Sequence, residues 1–190
     1  MSYNARTNMN SDFCKENPSI LADEEKCFKY LYEKTGLSTA AACGILSNLY
    51  YESKYNSEIL QIDSLVSLNF SDKQYTEAVD NGSYKDFVND LTGYGLVQWT
   101  LPSRKEALLR YAKKTGRSIG NMEMQLEFFA IEIKEYEAVW RLITECENSA
   151  EGAYSVGYDV CYYYEQPLEK ETDSAMRGNY AVALYEKYNS

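Results

Sequence analysis

Apolar residues recur at helical spacing along most of the chain. After Ser38, a plausible N-cap, Ala42, Ile45, Leu46 and Leu49 fall at i, i+3, i+4 and i+7 and define one face of a helix. Extending that face by three residues reaches Glu52, which places a carboxylate on the buried side of the last turn with Tyr50 and Tyr51 beside it. An earlier helix is expected to begin near Asp23, to carry Cys27, Phe28, Leu31 and Tyr32, and to end at Gly36. Before it, residues 1–17 are polar and aperiodic and read as a flexible arm ahead of one domain over 18–190.

From Ser53 to about Thr92 the helical period lapses. Polar residues, short apolar triplets and the turn signal Asp80-Asn81-Gly82-Ser83 predict a small polar lobe with a β-hairpin, since a structureless connection of that length is uncommon. Helices resume at Pro102, with Ala107, Leu108 and Tyr111 on one face and Gly116 as terminator. Asn121 can cap a segment bearing Met124, Leu126, Phe128, Phe129, Ile131 and Ile133, whose breadth predicts a central, mostly buried helix. Further helices are expected over 139–146, 149–165 and 174–188. The predicted fold class is mainly α, interrupted once by the polar lobe.

Composition narrows the chemistry. The 190 residues hold 19 Lys+Arg, 29 Asp+Glu and no His, a formal charge of −10. Lacking an imidazole, the chain has no Ser-His-Asp or Cys-His machinery and no common His-bearing zinc site, so carboxylates, Lys, Cys or Tyr must carry any proton transfer. No metal or cofactor is expected. The acidic balance, with no visible cluster of bases, argues against nucleic acid as a partner. No apolar run approaches the ~20 residues of a bilayer span, and the opening MSYNARTNMNSDF lacks the apolar stretch of a signal peptide. The 19 tyrosines suit wet, amphipathic clefts such as sugar sites, although most are expected to be core and surface filler. Of the five cysteines, Cys14, Cys27, Cys43, Cys146 and Cys161, none is spaced as CxxC, and Cys43 and Cys161 read as small core residues.

A carboxyl group on an apolar helix face is desolvated, and desolvation favours the protonated form. A carboxylic acid kept protonated near neutral pH is what a glycosidase uses to protonate a leaving glycosidic oxygen. The alternative for Glu52 is a frayed helix end whose side chain reaches water.

The segment Ala41-Ala42-Cys43-Gly44-Ile45-Leu46-Ser47-Asn48-Leu49-Tyr50-Tyr51-Glu52-Ser53-Lys54-Tyr55-Asn56, followed by Gly93-Tyr94-Gly95-Leu96-Val97-Gln98-Trp99, resembles the phage tail lysozyme family. That family is related to goose-type lysozymes and soluble lytic transglycosylases. The C-terminal run Tyr162-Tyr163-Tyr164-Glu165-Gln166-Pro167, with Arg177-Gly178-Asn179-Tyr180-Ala181, is similar to the same family's closing helices. The resemblance implies a lysozyme-like helical domain that cleaves peptidoglycan between N-acetylmuramic acid and N-acetylglucosamine, outside the cell or from a virion, without a cofactor and within a larger tail or multidomain assembly. By match of motif, Glu52 is the general acid, and Tyr94, Gln98 and Trp99 line the cleft. Trp99 is either a platform for a pyranose face or a core residue. Hydrolysis calls for a second carboxylate, for which Asp90, three residues before Gly93, is favoured over Asp86, Glu77 and Asp72. Transglycosylation needs only the one glutamate. Glu165 is a further cleft candidate, or a helix-end acid paired with Arg177. A non-catalytic glycan-binding tail component and a chitinase-like glycosidase are the competing functions.

Overall fold

The computed structural model describes residues 17–61 and 68–190. Residues 1–16 of the expected arm, Cys14 among them, lie outside these. Eight α-helices are found among the described residues: α1 (Pro18–Lys29), α2 (Thr39–Ser53), α3 (Asp72–Asp80), α4 (Pro102–Thr115), α5 (Met122–Glu135), α6 (Glu137–Glu145), α7 (Ala150–Asp159) and α8 (Lys170–Tyr188). Two π-helical turns, Tyr30–Lys34 and Val160–Glu165, extend α1 and α7. The mainly α fold class holds, and no helix among the described residues is long and apolar enough to cross a membrane. The chain forms two compact units, one built from the chain up to Tyr51 with Ala130–Ser190, the other from Glu52–Phe129.

In the first unit α2 is buried on every side from Ala40 to Tyr50, not on one face only. Small residues make this possible. A Cβ on Gly44 would lie 2.5 Å from Cβ of Val156, so glycine is what lets α2 and α7 approach at that point. Burying a helix all round also buries its polar side chains, which must then find partners. Asn48 does so completely: its amide donates to the carbonyls of Gly44 and Gly157, both at 3.0 Å, and its oxygen accepts from Arg177 Nη1 at 3.0 Å. The same guanidinium lies 5.7 Å from the Tyr51 ring centre. Helix α7 runs along α8, with Gly178 against the Tyr154 ring. Cys43 and Cys161 are core residues, as their pattern predicts, and burial pushes the Cys43 thiol well up. Buried Glu24 ties α1 to the end of α8, accepting from Lys187 Nζ at 2.6 Å and the Tyr188 hydroxyl at 2.9 Å.

Helix α1 starts earlier than the apolar pattern predicts. Asn17 caps it, accepting from the Ser19 amide at 3.2 Å, and Pro18 occupies the first turn, where its missing N–H costs nothing. Two other predicted starts are found in place. Ser38 Oγ accepts from Ala41 N at 3.1 Å, and Asn121 Oδ1 from Met124 N at 2.9 Å.

In the second unit the expected hairpin around Asp80-Asn81-Gly82-Ser83 is absent. That turn ends α3, a helix announced by a capping box in which Ser71 and Gln74 exchange side-chain and backbone hydrogen bonds. Among the described residues, bridge pairing consists of two isolated bridges, Leu60 to Tyr94 and Tyr94 to Trp99. Pro102 opens α4 and Gly116, at φ +66°, closes it, as predicted.

Candidate functional site

Glu52 lies in the last turn of α2 and is half-buried; Ser53, which follows, is buried. The chain then breaks direction at two non-glycine residues in the left-handed region, Lys54 at φ +53° and Tyr55 at φ +63°. A tyrosine in that region costs energy, and such residues persist only where surrounding structure holds them. Here the Tyr55 ring is fully buried. The helix therefore stops abruptly one residue after Glu52. The following turn is fixed by Asn56, whose Oδ1 accepts from Glu58 N at 2.9 Å, and by Ser57, whose hydroxyl donates to the Gly120 carbonyl at 2.7 Å.

The Gly93–Thr100 segment forms a tight loop in the same unit. Tyr94 N donates to Trp99 O at 3.2 Å and Trp99 N to Tyr94 O at 3.0 Å, so Gly95, Leu96, Val97 and Gln98 form the loop between them. On the other side Gly95 N donates to Ile59 O and Gln61 N to Gly93 O, both at 2.9 Å, which joins the loop to the segment that follows Glu52. Gln98 itself is half-buried, at φ +46°, and its amide nitrogen donates to Gly95 O at 3.1 Å and Ile59 O at 3.3 Å. Its oxygen remains available on a side chain that is partly open to solvent.

Tyr94 and Trp99 do not offer the open faces expected of cleft residues. Both are 0% exposed. Trp99 packs on Phe128 with ring centres 5.6 Å apart, and Tyr94 packs among Tyr75 and Phe87 while its hydroxyl pairs with Thr76 at 2.7 Å. They fix the loop from inside, so of the two readings of Trp99 the geometry agrees with the core one.

Asp90 is equally enclosed. Its side chain is 3% exposed and its carboxylate accepts from the Tyr75 hydroxyl at 2.6 Å, the Tyr84 hydroxyl at 3.1 Å and the Thr92 amide at 3.0 Å, besides pairing with the buried Lys105 ammonium. Lys105 also donates to Tyr75 Oη at 3.2 Å and to the Thr92 carbonyl at 2.8 Å. Burial pulls the Lys105 ammonium below its ordinary value, against the opposing pull of Asp90. The Tyr84 phenol is pushed up to about 12, first by burial and then by Asp90, so it stays a donor. Asp90, expected as the second catalytic acid, is thus held by four donors beside the Thr92 end of the loop.

Glu165 belongs to the other unit, at the end of the π-helical turn Val160–Glu165. It is half-buried, and Gln166 at φ +53° closes the turn behind it. The π-helical geometry has no counterpart in the sequence pattern. A second feature missed by pattern is Gln125 on α5. It is fully buried, with its oxygen on the Leu96 amide at 2.9 Å and its nitrogen on the carbonyls of Ser57 at 2.7 Å and Ile119 at 2.6 Å.

A mainly helical protein with a glutamate closing its most deeply buried helix, and a glycine-bracketed Leu-Val-Gln loop tied to the segment beyond, falls in the lysozyme-like class. The chain belongs to the phage tail lysozyme family, whose model matches residues 22–188. No curated protein matches the sequence. At the level of the family this is a lysozyme-like peptidoglycan hydrolase, acting on the cell wall from outside the cell or from a virion.

Proposed function

We propose that residues 18–190 form one catalytic domain that cleaves the glycan strand of peptidoglycan between N-acetylmuramic acid and N-acetylglucosamine, with Glu52 as general acid. The observation that carries this is the placement of Glu52, half-buried in the last turn of a helix that stops at once on strained backbone, in a member of this family. Glu52 protonates the glycosidic oxygen as its bond to C1 breaks, and the sugar left behind carries oxocarbenium character. Gln98, with its oxygen free of the hydrogen bonds that hold its nitrogen, accepts from an N-acetyl or hydroxyl group of the bound sugar. Because the Asp90 carboxylate is engaged by Lys105 and three other donors, the single-glutamate route is favoured. In it the substrate's own N-acetyl or 6-hydroxyl group supplies the second function, and Glu52 takes back a proton from the incoming oxygen. Glu165, in the other unit, is kept as a candidate sugar contact on its match to the family's closing helices. At −10, the chain is not drawn to an anionic wall by net charge, so contact rests on local sugar recognition or on delivery by a larger tail assembly.

Purified cell walls treated with the protein provide the test. Released fragments identified by mass are expected to carry new N-acetylmuramic acid ends, reducing if water completes the reaction and 1,6-anhydro if the 6-hydroxyl does. New N-acetylglucosamine reducing ends contradict the assigned bond. Binding without release identifies a glycan-binding tail component, and release from chitin in preference to peptidoglycan identifies a chitinase-like enzyme.

A further inference from the structure

Gln125 joins three separate backbone segments of the second unit. Its Oε1 accepts from Leu96 N at 2.9 Å, inside the loop that carries Gln98. Its Nε2 donates to the Ser57 carbonyl at 2.7 Å, five residues after Glu52, and to the Ile119 carbonyl at 2.6 Å, ahead of α5. All of this is buried, with Gln125 at 0% exposure. The loop meets it without clearance, since a Cβ on Gly95 would lie 2.6 Å from Gln125 Oε1 and the residue sits at φ +75°.

One planar group here must accept once and donate twice, at the reach of a three-carbon stem. Among side chains only glutamine does that, because a carboxylate accepts only, an ammonium donates only, and asparagine is a carbon shorter. The low dielectric around it makes each bond costly to lose. We propose that Gln125 is a positioning residue of the catalytic site, holding the Gln98 loop in register with the turn that follows Glu52. This rests on the glycosidase assignment above and adds to it a residue that touches no substrate.

The test is Gln125→Glu, with kcat and KM measured on solubilised peptidoglycan glycan strands across the acid range, each divided by the wild-type value at the same pH. Dividing removes the titration of groups common to both proteins. In the ionised variant two carbonyls face an oxygen that cannot donate, and the loop shifts. Its kcat is expected to fall about ten- to hundred-fold, the penalty of a displacement near 1 Å, with KM changed far less. Protonation returns one donor, and burial places that protonation above the ordinary carboxylate range, so the ratio of kcat values climbs as pH falls. Thermal midpoints taken at each pH, with assays well below them, separate this from unfolding, because a residue that only stabilises the fold leaves a flat ratio near one. Gly95→Ala displaces the loop at the same contact, from the loop's side of it and with Gln125 itself unchanged, and it decides the matter if Gln125→Glu does not fold. Its kcat is expected to drop likewise. A flat ratio near one in Gln125→Glu, or full kcat in Gly95→Ala, overturns the proposal and leaves the glycosidase assignment standing. A wild-type protein that cuts no glycan overturns both.

Discussion

Glu52→Gln is expected to lower the rate of glycan cleavage by about 10²–10⁴-fold, the usual contribution of a positioned general acid. Glutamine keeps the size and the hydrogen-bonding reach of glutamate but has no proton of suitable acidity to give the leaving oxygen. The side chain is half-buried at a helix end and the exchange is close to isosteric, so it leaves no large cavity, and the thermal midpoint is expected to stay close to that of the wild type. KM is expected to change little, because the proton is transferred in the transition state and contributes little to binding the ground state. Turnover measured on purified walls, beside a thermal melt, checks this. A rate within a few-fold of the wild type removes Glu52 from the mechanism.

Asp90→Asn is expected to act in the opposite way, on stability far more than on chemistry. Removing one partner of a buried ion pair leaves the other charge uncompensated, at a cost of about 3–5 kcal/mol. Here the stranded group is the Lys105 ammonium, 0% exposed, which keeps the Tyr75 hydroxyl, the Thr92 carbonyl, the Phe87 ring and a neutral amide but no opposite charge. The loss is read as a lower denaturant midpoint with an unchanged slope. Asp90→Leu combined with Lys105→Met removes both charges and is expected to recover much of it, since replacing a whole buried pair is far less costly than breaking it. Were Asp90 the nucleophile or base, Asp90→Asn would lose turnover at an unchanged midpoint. That contrast separates the anchoring role from the catalytic one.

What could be read from the sequence follows from the range of the interactions involved. Ser38, Asn121, Pro102 and Gly116 act within one turn of their own positions, and the structure finds each in the predicted role. The Asn17-Pro18 start of α1 and the Ser71-x-x-Gln74 box were equally local signals, but a patterned apolar face at Asp23 and a glycine-containing turn at Asp80–Ser83 outweighed them. Residues whose partners lie far along the chain leave no period. Asp90 is favoured by its place before Gly93, but its partner Lys105 lies fifteen residues on and no spacing announces that pairing. Gln125 was hidden on an apolar helix face because its three partners are backbone groups, which carry no residue identity. Trp99 and Tyr94 belong to the motif that resembles a sugar cleft, yet both are buried, which the motif alone does not disclose. The aromatic members support the loop, and Gln98 is the one of the three that reaches solvent.

The absence of histidine gives the central claim its sharpest form, because it leaves carboxylate chemistry on the glycan strand and disfavours Cys-His and His-bearing zinc chemistry on the peptide stems. The most direct measurement is the length distribution of glycan strands freed of their peptides and incubated with the wild type and with Glu52→Gln. The wild type is expected to shorten them and the variant to leave them at full length. Strands that keep their length with the wild type, while stem peptides are cut in intact wall, would contradict the account.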